Sequence, residues 1–138
     1  MTEIEKLICD KWLGGGICRN VYEYRLNPKW VVKIALGDNG RKHNLIEDRI
    51  WEEIQNSDYA KWFAPVIEVS EAGLYLIMAK VEHGRKQDYP KIIPHFFTDC
   101  KYNNYGWIGK NFVSCDYAST IITNGFTKKT KKADWYEV

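Results

Sequence analysis

Long apolar runs are missing from this sequence. No stretch approaches the roughly 20 apolar residues that a membrane-spanning helix needs, and the opening Met-Thr-Glu-Ile-Glu-Lys is too acidic and polar for a signal peptide. A cytoplasmic protein without a membrane partner is therefore expected. Charge of one sign is also lacking. The formal net charge is only +2, which gives no general case for a nucleic-acid partner, although Lys128-Lys129-Thr130-Lys131-Lys132 is locally basic and reads as a solvated, mobile tail. Cysteine is sparse. Cys9, Cys18, Cys100 and Cys115 form no C-x-x-C pair and no Cys/His cluster at zinc spacing, so four free thiols are expected. Proline is rare, but Pro90 and Pro94 fall close together and leave little room for a long helix over 89–97.

What is present describes a globular chain. Its 138 residues suffice for one domain with a core, and 45% of them are apolar and 14% aromatic. Residues 3–11 read equally as a short helix or a strand. Gly14-Gly15-Gly16 then enters the alternating strand Val21-Tyr22-Glu23-Tyr24. A glycine-rich turn of this kind lets backbone N–H groups come close to a phosphate, because no Cβ intervenes. Trp30–Leu36 reads as a buried strand containing one lysine, Lys33, whose ammonium needs water or an acid. The best helix is Asn44–Gln55. Leu45, Ile46, Ile50, Trp51 and Ile54 recur at helical spacing, and Glu47 sits at the edge of that face, where it can turn inward toward Lys33. Pro65–Val69 and Leu74–Val81 are strands joined at Glu71-Ala72-Gly73. These elements suggest a curled antiparallel sheet with one helix packed on it, an α+β fold.

The stretch Asp99–Asp116 is rich in chemistry. Asp99 is followed two residues on by Lys101 and five on by Asn104. The hairpin Tyr105–Ile108/Phe112–Cys115 comes next, turning at Gly109-Lys110-Asn111, and Asp116 stands at its far end. Asn104 and Asp116 supply hard oxygen donors suited to magnesium.

In this order the pieces resemble the protein-kinase superfamily. The G-x-G-x-x-G-x-V phosphate loop appears as Gly14, Gly16, Arg19 in place of the third glycine, and Val21. Val31-Val32-Lys33 stands for V-A-I-K, and Glu47 for the helix glutamate that pairs with that lysine. Met78 falls at the gatekeeper position, and the Ala79 carbonyl and Val81 N–H would face adenine. Phe97-Thr98-Asp99-Cys100-Lys101-Tyr102-Asn103-Asn104 resembles the catalytic loop, and Asp116-Tyr117-Ala118 resembles D-F-G. The resemblance implies a kinase-like small lobe over 1–82, then a hinge, catalytic loop and metal-binding hairpin over 83–118, and a Lys/Thr-rich tail over 119–138. It implies ATP and Mg2+ as cofactors, Asp99 as base and Lys101 as the group that steadies the γ-phosphoryl.

The departures matter as much. Phe97 and Thr98 replace the histidine and arginine of H-R-D, and Ala118 replaces the D-F-G glycine. The short stretches between Glu82 and Phe97 and after Ala118 cannot hold the family's large lobe, so the peptide platform is absent. So small a version suggests a genome under size pressure, such as a bacteriophage. Two functions follow. One is a minimal phosphotransferase acting on a Ser/Thr hydroxyl of a partner or of itself. The other is a pseudokinase module that grips or inhibits another protein.

Overall fold

The computed structural model describes residues 1–120 and 125–137. Helix α1 (Glu3–Ile8) begins under a capping box, in which the Thr2 hydroxyl accepts from the Glu5 N–H and the Glu5 carboxylate accepts from the Thr2 N–H. Strand β1 (Cys9–Gly15) follows directly, so residues 3–11 are helix and then strand. With β2 (Arg19–Tyr24), β3 (Trp30–Ala35), β4 (Val66–Val69) and β5 (Tyr75–Ala79), it forms an antiparallel five-stranded sheet in the order β1-β2-β3-β5-β4.

Alternation along the strands sorts the residues by face. Val21 pairs with Lys33 and Lys33 with Leu76, so these three form a row across the sheet, flanked by Arg19, Val31 and Met78. The opposite face carries Val32, Ile34 and Ile77, which pack with Cys9 in a smaller cluster.

Helix α2 (Asp38–Ile54) starts six residues before the expected Asn44. Its first turns are polar, which hides them from an apolar-periodicity reading. Their inward position is Gly40, where a Cβ would come within 2.2 Å of the Cys18 carbonyl oxygen. Only glycine allows that approach. The buried stripe of α2 is Gly40, Asn44, Glu47, Ile50 and Ile54, whereas Leu45, Ile46 and Trp51 are only half-buried. The core-facing side is therefore polar in its first half and apolar in its second.

The later part of the chain adds β6 (Ile92–Pro94), the hairpin β7 (Tyr105–Ile108) and β8 (Asn111–Ser114), and β9 (Thr130–Lys132). The hairpin turns at Gly109, whose φ of 59° suits glycine. Strand β9 pairs antiparallel with β6, which corrects the reading of residues 128–132 as a free tail. Their side chains are exposed, as a basic run requires, but the backbone is fastened. Residues 121–124 and 138 of the expected tail lie outside the described residues.

One apolar cluster runs from Val31, Leu76 and Met78 under the sheet to Phe63, Phe97, Tyr105, Phe112 and Tyr117. It is aromatic-rich, with edge-on contacts such as Phe63–Tyr117 at 5.0 Å. Phe97 is 1% exposed and lies 4.7 Å from Tyr105, ring to ring. Phe97 is thus an anchor that ties the Asp99 loop to the core. Among the described residues, no helix is long and apolar enough to cross a membrane.

Candidate nucleotide and phosphoryl-transfer site

Glu47 is the centre of the charged cluster. It is 0% exposed and faces two cations. Lys33 Nζ donates to its Oε1 at 3.0 Å, and the Arg19 guanidinium grips both oxygens at 2.5 and 3.4 Å. The Tyr117 N–H donates to Oε2 at 2.8 Å. Burial alone would raise this carboxyl, but Lys33 and Arg19 outweigh it and hold it down to about 2. Asn44, also fully buried, accepts from Arg19 at 3.0 Å and donates to the carbonyls of Lys33 and Gly73. Among the described residues, no buried side-chain nitrogen or oxygen lacks a hydrogen-bond partner, as burial demands.

The cluster reaches outward to the second half of the chain. Lys33 Nζ also donates to the Cys115 carbonyl at 2.5 Å, and Arg19 Nη2 donates to Asp116 Oδ1 at 3.0 Å. Tyr117 is 1% exposed, and its hydroxyl donates to the Ala64 carbonyl at 2.9 Å. Asp116 is thus held between a buried anchor and a buried cation while its own side chain stays 46% exposed.

The loop of Asp99 joins the same site through Asn104. The Asn104 amide donates to the Asp99 carbonyl and to Asp99 Oδ2, both at 3.1 Å, and the Asn104 carbonyl accepts from the Cys115 N–H at 2.9 Å. Among the described residues Asp99 is the one non-glycine at positive φ, 44°. The left-handed region is costly for a residue with a Cβ, although Asp tolerates it better than most. Its exposed carboxylate has a second partner, the hydroxyl of Tyr136. That bond raises the Tyr136 phenol above its usual range. Lys101 is half-buried, with its N–H donating to the Asp99 carbonyl at 2.7 Å and its carbonyl accepting from the Asn104 N–H at 3.0 Å.

The sequence-predicted residues fall into three places. Lys33, Glu47, Asp116, Asn104 and Asp99 are linked by the contacts above, with Lys101 on the same loop. Gly14 and Gly16 flank the β1–β2 turn, closed by a bond from the Gly16 N–H to the Arg19 carbonyl at 3.0 Å, and Val21 lies beside Lys33 in the sheet. A Cβ at Gly14 or Gly16 would meet nothing within 4 Å, so packing within the protein does not require glycine at either position. Met78, Ala79 and Val81 form the end of β5 and the connection beyond it, with Met78 fully buried. Among the described residues nothing accepts from the Val81 N–H, although Val81 is only 8% exposed. Gly106 of the hairpin packs directly beneath, where a Cβ would press on Val81 and the Glu82 carbonyl.

Sequence reasoning missed the roles of Arg19, Asn44 and Tyr136. Arg19 reads as a lost glycine of the phosphate loop, yet its side chain is 8% exposed and turns inward. The available signal was its place two residues before Val21 on a strand, which puts it on the face of Lys33. Asn44 lies three residues before Glu47 on α2, so the helical period held that signal.

A cavity of about 590 Å³ lies elsewhere, lined by residues such as Tyr59, Trp62, Ile93, Phe96 and Thr127, and no predicted site residue lines it. The Arg19 guanidinium lies across Glu47 and Asp116, so the Asp116 carboxylate already has a cationic partner. Among the described residues, no three His, Cys, Asp or Glu side chains cluster as a ready metal cage. The donors at hand are one carboxylate and one amide oxygen. That set fits Mg2+, which typically takes one or two carboxylates and completes its shell with nucleotide phosphates and water.

No protein-family model matches this sequence, and no curated protein matches it. Several solved structures are similar in part, two of them complexes of APH(2″)-IIa. APH(2″)-IIa in its ternary complex with streptomycin and ATP is 19% identical, with a TM-score of 0.47, over 59% of this chain and 27% of that one. APH(2″)-IIa in complex with gentamicin is 20% identical, with a TM-score of 0.49 and the same coverage. This chain therefore spans about a quarter of the length of those proteins. Likeness at this level concerns the fold and adds no weight to a function.

Proposed function

We propose that this chain is a minimal kinase-like protein that binds ATP with Mg2+ and transfers the γ-phosphoryl group to a hydroxyl. The observation that carries the proposal is the continuous linkage from Lys33 and Glu47, through the Cys115 carbonyl, to Asn104 and Asp99, with Asp116 beside it. A lysine, two oxygen donors and an acid drawn from separate segments are brought to one place, and phosphoryl transfer depends mostly on such positioning and on charge stabilisation. Lys33, oriented by Glu47, would bind the α and β phosphates. The unpartnered Val81 N–H and the Ala79 carbonyl would take the adenine edge beneath Met78, and Gly14, Gly16 and Val21 would cover the phosphates. Asn104 and Asp116 would hold Mg2+, which when bound neutralises charge on the phosphates. Asp99 would accept the acceptor's proton, and Lys101 would steady the transferring group.

A second reading has one observation in its favour. The Arg19–Asp116 ion pair gives the proposed Mg2+ ligand a protein cation as its partner, as suits a kinase-like module that grips a protein partner without turnover. Titration of ATP and Mg2+ against melting temperature decides the first step, because a ligand that binds only the folded state must stabilise it. A rise is expected with wild type, and Asp116→Ala should abolish its Mg2+-dependent part. No rise at millimolar ATP would end the nucleotide reading.

A further inference from the structure

The segment after β9 does not trail away from the site. Trp135 is inserted among aromatic side chains, with its indole N–H donating to the Pro90 carbonyl at 2.7 Å. Its ring meets Tyr89 and Tyr105 edge-on at 5.2 and 5.1 Å. The next residue is pinned on both sides of its backbone. The Tyr136 N–H donates to the Cys100 carbonyl at 3.0 Å, and the Tyr136 carbonyl accepts from the Tyr102 N–H at 3.1 Å, which forms a bridge opposite Lys101. Beyond it, Glu137 pairs with Lys86. The only polar group that Tyr136 can aim from this position is its hydroxyl, and that hydroxyl donates to Asp99 Oδ1.

We infer that Tyr136 is this chain's own phosphoryl acceptor, held in cis on the base. The inference rests on the nucleotide-binding reading above. A general base must lie within hydrogen-bond reach of the proton it removes, and here the proton, the base and the fixed backbone are already assembled. Asp99 Oδ2, meanwhile, is held by the Asn104 amide, which orients the carboxylate. In the step itself the Tyr136 oxygen forms a bond to the γ-phosphorus of ATP. The bond from that phosphorus to the β–γ bridging oxygen breaks, ADP leaves, and the phenolic proton passes to Asp99. The product is phosphotyrosine at 136. In this arrangement the acceptor is supplied by the chain's own fold, and intramolecular placement provides the positioning that a separate substrate would otherwise need.

The test is incubation of the full chain with Mg2+ and ATP, followed by peptide mass spectrometry, alongside the thermal-shift titration. The expected result is one phosphate on Tyr136, appearing at a rate constant independent of protein concentration. Tyr136→Phe should abolish that phosphate while keeping the ATP-induced shift. Asp99→Asn should slow its appearance by about a hundredfold or more, the usual scale of a lost general base, again with the shift kept. A normal ATP shift with no phosphate, with phosphate on another residue, or with a rate that rises with protein concentration would overturn the inference and leave the nucleotide reading standing. Absence of any ATP shift would overturn both.

Discussion

Two carboxylates organise this protein, and they are held in opposite ways. Glu47 is wholly buried and accepts from Arg19, Lys33 and the Tyr117 N–H, so it ties β2, β3, α2 and the segment after the hairpin into one register. Asp99 is exposed, sits on left-handed backbone and has two side-chain partners, Asn104 and Tyr136. The difference teaches what each can do. A buried charge with several fixed donors cannot exchange partners without unfolding its surroundings, so Glu47 positions other groups. An exposed carboxylate with few partners can give one up and take a proton, which is what the proposed role of Asp99 requires.

The comparison breaks most directly at Glu47. Removing one partner of a buried ion pair leaves uncompensated charge and costs about 3–5 kcal/mol. Glu47→Ala should lose stability on that scale in urea unfolding, since Arg19 and Lys33 would then face each other. Asp99→Ala should cost far less. Equal losses would mean that the Asp99 loop is as structural as the helix.

Acid should reveal the same asymmetry. The Glu47 carboxyl is held at about 2 in the folded protein, below the 4.5 of a free glutamate. A depressed acid stabilises the fold above its unfolded pKa, and that stabilisation is lost as pH falls toward the folded value. About 3 kcal/mol should therefore disappear between pH 4.5 and pH 2, on the scale of 1.36 kcal/mol per pKa step. Glu47→Gln should flatten the curve in that window. An unchanged acid limb would show that other carboxylates dominate it.

Much of the fold was legible because its signals are local. Alternation marked β2, apolar runs marked β3 and β5, and the hairpin announced itself through a turn between two apolar runs. The Lys33–Glu47 pair was legible from a lysine in a buried strand and an acid at the edge of a helix face. What escaped notice depends on contacts distant in sequence. The first turns of α2 carry Gly40 and Asn44 inward, so their burial shows up as close approach and hydrogen bonding rather than as apolar periodicity. The pairing of β9 with β6, and of Tyr136 with Asp99, joins segments that no local pattern connects. A basic run on an edge strand also reads like a solvated tail, because its exposed side chains satisfy both descriptions.

Arg19 sharpens the comparison further, because it belongs to the buried cluster yet touches the exposed Asp116. Arg19→Met should cost about 2 kcal/mol, within the range for leaving a buried polar partner unsatisfied. The loss is smaller than at Glu47 because Lys33 and the Tyr117 N–H would still face the carboxylate. The same variant frees Asp116, so the Mg2+-dependent part of the ATP shift should grow. A shift that shrinks instead would mean that Arg19 helps to hold the phosphates and does not compete with the metal.

The smallest expected effect lies at the other carboxylate. Tyr136 is 43% exposed, and its backbone is held by Cys100 and Tyr102 whatever its side chain carries. Tyr136→Phe keeps the ring and removes one hydrogen bond to a group that water can solvate in its place. The melting temperature should therefore stay close to wild type. Any change in phosphoryl transfer would then be chemical in origin, since the fold and the Glu47 cluster would be untouched. A large loss of stability would show instead that the hydroxyl clamps the left-handed turn at Asp99, and the contrast between a positioning carboxylate and a reacting one would fail at this point.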